Sequence, residues 1–406
     1  MNNNVILAGF GKADITPLYN IYLGGYSNDL NRKSTFIKED DPLEARALAL
    51  TDEAGKTLLF VITDLCWGTK ELTDNIRRQI KSIYDIEEDS VFLGGTDNHS
   101  GPSYEGEALN EPCNREYMVR WNESVMRAIR DAMADRCEAE VFVGTTETHN
   151  VNFVRRYARK DGTLVGAGLA AWYGDNSVPI EKHESDVDPH VQMVRFVRDG
   201  YKDILIAQWQ AKACHLSGMV KGTHLCATDY VGPMRQYVEE DTDCHFLFMQ
   251  GCAANVGTAS KIPNEMELHA RPTESQIGYM VGKTIVQAYY TSDTFKPINA
   301  GNFRVLQQTI SEPAKGWQAE MNTISLGDLS VATFPVQLFD TAGIKIKEET
   351  PFEMTLLMGH TNGIGGICAS AHAFALGGYE TTSRGVEGTA ERIVQTQLDA
   401  LHQLHD

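Results

Sequence analysis

Short apolar runs alternate with amphipathic stretches along the whole chain. The runs "RALALTD" and "KTLLFVITDL" flank the turn "DEAGK", a pattern that predicts a β-hairpin. The next stretch, "ELTDNIRRQIKSIYD", places Leu72, Ile76, Ile80 and Ile83 at the spacing of one helix face. It therefore predicts a helix with these four side chains on one face. The run "SVFLGG" at 90–95 then predicts a buried strand.

The second half of the chain repeats this alternation. "VQMVRFV" and "DILIAQWQA" predict a hairpin, "CHFLFMQGC" a buried strand, and "GTAERIVQTQLDALHQL" a helix. The segment from about 150 to 188 lacks clear periodicity, and we interpret it as a long functional loop or lid. No repeat or Pro/Ser linker divides the sequence. We expect one domain over 1–406, of the α/β class, with mixed β-sheets flanked by helices.

Composition narrows the classes of partner. The 36 basic and 55 acidic residues give a formal net charge of -19, which opposes binding to nucleic acid. The apolar runs are shorter than the ~20 residues of a membrane helix, and the N-terminus shows no secretory signal. Eight cysteines without a CxxC pair indicate free thiols. We expect a soluble, cytoplasmic protein that binds a small-molecule substrate and no membrane. The sequence is compatible with a homo-oligomer.

Polar clusters follow five of the strand-like runs. They read "TDNHSGPSYEG", "ACHLSG", "QGCAANVG", "FPVQLFD" and "GHTNGIGG". Because loops after strand carboxyl ends line ligand crevices in α/β proteins, we expect these loops to converge on one site.

Three residues in these clusters are candidates for chemistry. Asp97 and His99 are two residues apart, so their side chains point the same way on extended backbone. The ordinary alternative is a capping aspartate and a hydrogen-bonded histidine. His215 follows an apolar strand, where a buried neutral histidine is the ordinary alternative. Together the three could form a metal site of two histidines and a carboxylate, or a metal-free acid/base cluster.

A basic run, "RRYARKDG", stands out in this acidic chain. It contains Arg155, Arg156, Arg159 and Lys160. A solvated charge run is the usual explanation. The competing hypothesis is a clamp for a carboxylate or phosphate, since arginine binds such groups in bidentate geometry.

The order of the motifs resembles the catalytic domain of the neutral/alkaline ceramidase family. The motifs are "GFGKADITP", "VITDL", "GGTDNHSGPSYEG", "NFVRRYARKDGT", "DVDPHVQMVRF", "KACHLSG", "CATDYVG", "FMQGCAANVG", "FPVQLF" and "SAHAFALGGYETTSRGVEGTAE". The resemblance runs from about Phe10 to the C-terminus. It implies the ceramidase catalytic fold, without the family's C-terminal immunoglobulin-like domain, and a hydrolase activity.

The resemblance also implies a changed metal site. Family members hold zinc with two histidines, a glutamate and a tyrosine. Here Asp97 matches the first histidine, His215 the second, Gln337 the glutamate and Ile364 the tyrosine. His99 matches a further histidine that faces the substrate oxygen. Since glutamine is a poor zinc ligand and isoleucine is none, we expect the four-ligand cage to be absent.

Other family positions have changed as well. The family's serine falls near Gln250 and Gly251, and the aspartate of its Gly-Asp motif becomes Asn255. We therefore do not expect ceramide to be the substrate. The candidate catalytic residues are Asp97, His99, His215, Arg155 and Arg156, and the candidate substrate-binding residues are Tyr104, Lys160, Asp229, Asn255, Gln337 and Asn362.

Three hypotheses for the function remain open. The first is a hydrolase of an amide, ester or lactone in a small, polar, anionic substrate. A divalent ion, zinc or manganese, would be held by Asp97, His215 and His99. The second is a metal-independent lyase, isomerase or glycosidase that acts on a sugar-like substrate through an Asp/His pair. The third is a non-catalytic ligand-binding paralogue.

Overall fold

Strands and helices alternate along the chain in the computed structural model, which describes residues 5–26, 32–165, 179–219, 224–260, 262 and 272–406. The strands are β1 (Val5–Asp14), β2 (Phe36–Ile37), β3 (Glu44–Thr51), β4 (Thr57–Thr63), β5 (Val91–Gly95), β6 (Cys137–Glu147), β7 (Phe153–Val154), β8 (Tyr157–Arg159), β9 (Leu164–Val165), β10 (Ile180–His183), β11 (His190–Val197), β12 (Ile204–Trp209), β13 (Leu225–Cys226), β14 (His245–Gln250), β15 (Val256–Gly257), β16 (Phe295–Pro297), β17 (Phe303–Glu312), β18 (Trp317–Leu326), β19 (Leu329–Thr333), β20 (Gln337–Leu338), β21 (Met354–Met358) and β22 (Ile367–Cys368). The helices are α1 (Lys70–Tyr84), α2 (Pro112–Ala134), α3 (His215–Met219), α4 (Val231–Thr242), α5 (Glu274–Tyr290), α6 (Asp340–Glu349), α7 (Ala371–Leu376) and α8 (Thr389–His405).

A nine-stranded mixed sheet forms the centre of the molecule. Its strand order is β14-β12-β11-β6-β1-β3-β4-β5, and β16 pairs with β6. The pairs β4/β5 and β12/β14 are parallel. The pairs β3/β4 and β11/β12 are antiparallel, so both predicted hairpins are confirmed.

A second sheet packs against one face of the first. Its order is β17-β18-β19-β21, with β19 and β21 parallel. Apolar side chains from both sheets form one core, in which Phe60 and Phe92 of the large sheet belong with Ile324 and Leu356 of the small one. The buried apolar area between the two sheets is a main source of stability.

Helices cover the outer face of each sheet. Helices α1 and α2 pack on the β1–β5 half of the large sheet, and α4 and α5 pack on the β11–β14 half. Helices α6 and α8 cover the small sheet. The layers therefore run helix, sheet, sheet, helix, and the predicted α/β class with mixed sheets flanked by helices is confirmed.

The predicted helix over the "ELTDNIRRQIKSIYD" segment is confirmed as α1, although its four apolar side chains differ in burial. Ile76 and Ile80 are fully buried, but the Ile83 side chain is 61% exposed. Ile83 lies in the last turn of this 15-residue helix. The buried face of α1 is formed by Thr73, Ile76, Arg77 and Ile80, so Ile83 lies at the edge of that face.

The segment from about 150 to 188 contains short strands where we predicted a lid. Strands β8, β9 and β10 form a small sheet, and β7 pairs with β15. Residues 166–178 lie outside the described residues, so the lid stays a prediction. In the described part of the chain, no helix is long and apolar enough to cross a membrane.

Candidate active site

The carboxylate of Asp97 is the centre of the candidate site. Asp97 lies two residues after β5, is fully buried, and has a φ of 60°. The loop is held by Asn98, whose amide group donates to the carbonyl oxygens of Asp64 and Ala227 at 3.1 and 2.8 Å. Backbone in the left-handed region is uncommon outside glycine and often marks functional loops.

Four side chains surround the two carboxylate oxygens of Asp97. Lys212 Nζ donates to Oδ2 at 2.9 Å, and Gln337 Nε2 donates to the same oxygen at 3.4 Å. His99 Nε2 lies 3.3 Å from Oδ1, and His360 Nε2 lies 3.4 Å from Oδ1. These residues follow β5, β12, β19 and β21. The predicted convergence of strand-end loops is thereby confirmed for four of the five loops.

The fifth loop, after β14, fixes the orientation of Gln337. The backbone N–H of Ala253 donates to Gln337 Oε1 at 3.1 Å. Because the oxygen is held by this donor, the NH₂ group points toward the Asp97 carboxylate. Gln337 therefore presents N–H donors to the site, where a glutamate would present a second negative charge.

His360 occupies an unusual position beside Asp97. Its φ is 54°, its side chain is 2% exposed, and neither ring nitrogen has a hydrogen-bond partner among the described residues. The contact with Asp97 is close enough for an ion pair but is not aligned as a hydrogen bond. The ring packs against Trp67, with 5.4 Å between ring centroids. The backbone N–H of Trp67 donates to the Tyr104 hydroxyl at 2.6 Å.

Burial and the Lys212 ammonium set the charges in this site. Burial alone would raise the pKa of Asp97, but Lys212 and His360 hold it well below its usual range. Burial lowers the pKa of His99 to about 4 and also lowers the pKa of His360. Burial would lower the pKa of Lys212, but Asp97 raises it. Near neutral pH the site thus holds one carboxylate, one ammonium and two neutral imidazoles.

One set of side chains could hold a metal ion. Among the described residues, Cys66, Asp97 and His99 form a buried group whose ligand atoms all lie within 4.8 Å of one another. Gly25 closes this group on one side: a Cβ atom there would lie 2.5 Å from His99 Nδ1 and 2.8 Å from Cys66 Sγ. Thiolate, imidazole and carboxylate all bind zinc. The Lys212 ammonium on the same carboxylate opposes a second cation.

His215, predicted as a ligand, lies outside this group. Its Nδ1 forms a 3.0 Å hydrogen bond with Thr258 Oγ1, and burial lowers its pKa. Asp229 supports this region, because its Oδ2 accepts a 2.8 Å hydrogen bond from Leu216 N–H near the start of α3. Lys212, three residues before His215, makes the contact with Asp97 in its place.

The basic run has three different structural environments. Arg156 is fully buried and forms ion pairs with Glu184 at 2.6 Å and Glu380 at 3.2 Å. Arg155 Nη2 donates to the Ala254 carbonyl oxygen at 2.7 Å. Lys160 is exposed in the turn between β8 and β9.

The remaining candidate binding residues connect elements. Asn255 Nδ2 donates to Asp340 Oδ1 at 2.7 Å, and Asp340 N–H donates back to Asn255 Oδ1 at 2.9 Å. Asn362 Oδ1 accepts a hydrogen bond from Leu93 N–H at 2.7 Å, and its NH₂ group donates to Glu320 at 2.9 Å. Their contacts with the protein make them positioning residues for the loops around Asp97.

Sequence reasoning missed Cys66, Lys212 and His360. All three follow apolar strands, in "VITDLCW", "QWQAKACH" and "LLMGHTNG". Lysine after a fully buried strand was a usable signal, because an ammonium is almost never buried without a partner. The direction of the His360 side chain was not predictable, since it depends on a positive φ.

The fold and the buried polar centre define an α/β protein with an enzyme-like site at the ends of its strands. The profile of the family "Neutral/alkaline non-lysosomal ceramidase, N-terminal" matches residues 6–261. The chain therefore belongs to the neutral/alkaline ceramidase family, whose members are hydrolases.

Individual relatives agree with this assignment. The chain is 25% identical over 258 residues to neutral ceramidase of Oryza sativa subsp. japonica, and 25% identical over 243 residues to neutral ceramidase 1 of Arabidopsis thaliana. These matches cover 61% and 58% of this chain but 31% and 29% of the plant proteins.

Two solved structures show the same fold. One, described as a ceramidase complexed with C2, matches with a TM-score of 0.76 at 16% identity, and the neutral ceramidase of Pseudomonas aeruginosa matches with 0.77 at 17%. Each match covers 99% of this chain, and 76% and 75% of the respective solved chains.

Proposed function

We propose that this protein is a hydrolase that cleaves an amide or ester bond in a small, polar, anionic substrate. The observation that carries this proposal is the buried Asp97–His99 pair at the strand ends of a ceramidase-family fold. Asp97 and His99 are adjacent, and His99 Nδ1 has no hydrogen-bond partner among the described residues. The site therefore has a base oriented by a carboxylate.

In this proposal His99 is the general base. With Nε2–H directed at Asp97 Oδ1, the lone pair lies on Nδ1, where it takes a proton from the attacking water. His99 is neutral at pH 7, because its pKa is about 4. Asp97 stabilises the imidazolium that forms, and His99 then returns the proton to the leaving amine or alcohol.

Arg155 supports an anionic substrate. In the described chain it has no carboxylate partner, and its Nη2 bonds to the Ala254 carbonyl oxygen and the Tyr379 hydroxyl at 2.7 and 2.9 Å. The β15 strand links it to the site: a Cβ at Gly257 would meet Arg155 Cδ at 2.7 Å, while Val256 O accepts from Lys212 N–H at 3.2 Å. A guanidinium whose direct partners near the site are a carbonyl and a hydroxyl oxygen suits a substrate carboxylate.

The test is a hydrolysis screen with matched substrates. N-acyl amino acids and their ester analogues should be cleaved faster than the corresponding neutral N-acyl amines, and faster than ceramide. His99→Ala should lower kcat by about 10²–10⁴-fold, the range for loss of a general base. His149→Ala is the control, because the His149 side chain is 68% exposed. A preference for ceramide, or full activity in His99→Ala, would contradict the proposal.

A metal-assisted form of the same reaction is a second candidate. It is favoured by the Cys66, Asp97 and His99 group, which could hold zinc or, less suitably for a thiolate, manganese. A bound ion would supply a positive charge that polarises the substrate carbonyl. Cys66→Ser separates the two candidates: the metal-assisted enzyme loses bound metal and activity, whereas water activation by His99 retains activity.

A further inference from the structure

The Asp97 carboxylate is surrounded by positive and N–H groups, not by the ligand atoms that a metal ion would need. A metal ion is surrounded by lone pairs, but the Asp97 carboxylate is surrounded by groups that donate hydrogen. Lys212 Nζ and Gln337 Nε2 both direct N–H groups at Oδ2. The Gln337 donor is in a fixed position, since Gln337 Oε1 is held by Ala253 N–H.

We propose that the Lys212 ammonium is the built-in cation of this site and takes the place of a divalent metal ion. The ammonium contacts Asp97 at 2.9 Å, and the two side chains are 6% and 0% exposed. A buried carboxylate needs a compensating positive charge, which either a metal ion or an ammonium can provide. Here the ammonium already provides it.

A second cation on the same carboxylate would be repelled. An ion held by Cys66, Asp97 and His99 would share a carboxylate with Lys212 at short range and with little water between them. The Lys212 backbone is fixed by its hydrogen bond to Val256 O at 3.2 Å, so the ammonium stays near Asp97. Three covalently attached N–H donors also remain in place during turnover, unlike an exchangeable ion.

The role of Lys212 as the cation of an active site rests on the proposed hydrolase function. Its tests, however, measure bound metal and thermal stability, not turnover. An inactive but metal-free protein would contradict the proposed hydrolase alone, and an active zinc-containing protein would contradict the inference alone.

The first experiment measures metal in the full-length wild type. The protein is purified with added zinc and, separately, with added manganese, then dialysed and analysed by mass spectrometry. We expect far less than one ion per chain and no change in Tm when either metal or a chelator is added. One tightly bound ion per chain that Cys66→Ser loses would overturn the proposal.

The second experiment removes the ammonium. Lys212→Met should lower the Tm, because Asp97 is left without its counter-charge, and the double variant Lys212→Met/Asp97→Asn should recover most of that loss. Zinc should raise the Tm of Lys212→Met and not that of the wild type. Lys202→Met is the control, since Lys202 is half-exposed in a surface ion pair with Asp243.

A fallback variant keeps this test decisive. If Lys212→Met does not fold, Lys212→Gln keeps a hydrogen-bond donor and removes only the charge. Unchanged Tm in the Lys212 variant, or a zinc-dependent rise in the Tm of the wild type, would overturn the proposal.

Discussion

Single buried carboxyl groups in this protein respond to pH in different ways, and Asp229 is the clearest case. It is fully buried, with a φ of 58°, and it accepts hydrogen bonds from Leu216 and Tyr230 N–H groups at 2.8 and 2.9 Å. Burial raises its pKa from 3.8 to about 7. As pH rises, the Asp229 carboxyl therefore loses its proton near pH 4 in the unfolded chain but only near pH 7 in the folded protein.

The sign of this pH effect follows from linkage. Between about pH 4 and pH 7 the folded state binds more protons at Asp229 than the unfolded state, so the contribution of Asp229 to stability falls as pH rises. Asp229→Asn should flatten the pH dependence of the free energy of unfolding in this range. Urea denaturation at several pH values measures it, and Asp199→Asn, at an exposed carboxyl, is the control. An unchanged slope in Asp229→Asn would show that this carboxyl is ionised throughout.

Some single residues of the site could be predicted from the sequence and others could not. Asp97 and His99 were identifiable because they follow a strand two residues apart, and the structure places them together. His215 was named for a contact that Lys212 makes instead, since α3 starts at His215 and turns its side chain toward Thr258. Lys212 and His215 are only three positions apart in a loop. Hydrophobic periodicity does not predict which of the two side chains contacts Asp97.

At the scale of elements, the loop after β21 depends on one asparagine. Asn362 has a φ of 54° and joins β5 to β18 through Leu93 N–H and Glu320. This contact sets the position of His360, two residues earlier. Hairpins were predictable from alternation and turns, because their partners are close in sequence. The contact between β5 and the loop after β21 spans 269 residues and has no local signal.

Asn362→Ala tests that connection. The substitution leaves the buried Leu93 N–H without its partner, so the free energy of unfolding should fall by about 1–3 kcal/mol. Urea denaturation gives this value, and Asn110→Ala, at an exposed asparagine, should be close to neutral. Equal stability of both variants would mean that the Asn362 contacts contribute little.

At the scale of the molecule, the site forms where loops from distant strands of the large sheet meet. Asp97 follows β5 at one end of the strand order and Lys212 follows β12 near the other end, yet their charged groups are 2.9 Å apart. Arg46 on β3 bridges the two halves, because Nη1 donates to the Phe246 carbonyl oxygen of β14 and Nη2 lies 3.2 Å from Glu239 on α4.

Arg46→Met should weaken this closure in a pH-dependent way. Burial would raise the pKa of Glu239, but Arg46 outweighs it and lowers the value from 4.5 to about 2. Ionised Glu239 thus stabilises the fold above about pH 4.5, and this contribution is lost as pH falls toward 2. Removal of one partner from a buried ion pair costs about 3–5 kcal/mol.

The stability difference between wild type and Arg46→Met should therefore be largest near neutral pH and shrink with acidification. Urea denaturation at pH 3 to 7 measures that difference, and Arg130→Met is the control because the Arg130 side chain is 63% exposed. Because Arg46 joins the sheet halves that carry Asp97 and Lys212, the variant should also lose hydrolase activity, while the control should keep it. A stability difference that does not change with pH would assign the role of Arg46 to packing of its aliphatic stem, since apolar contacts carry no proton linkage.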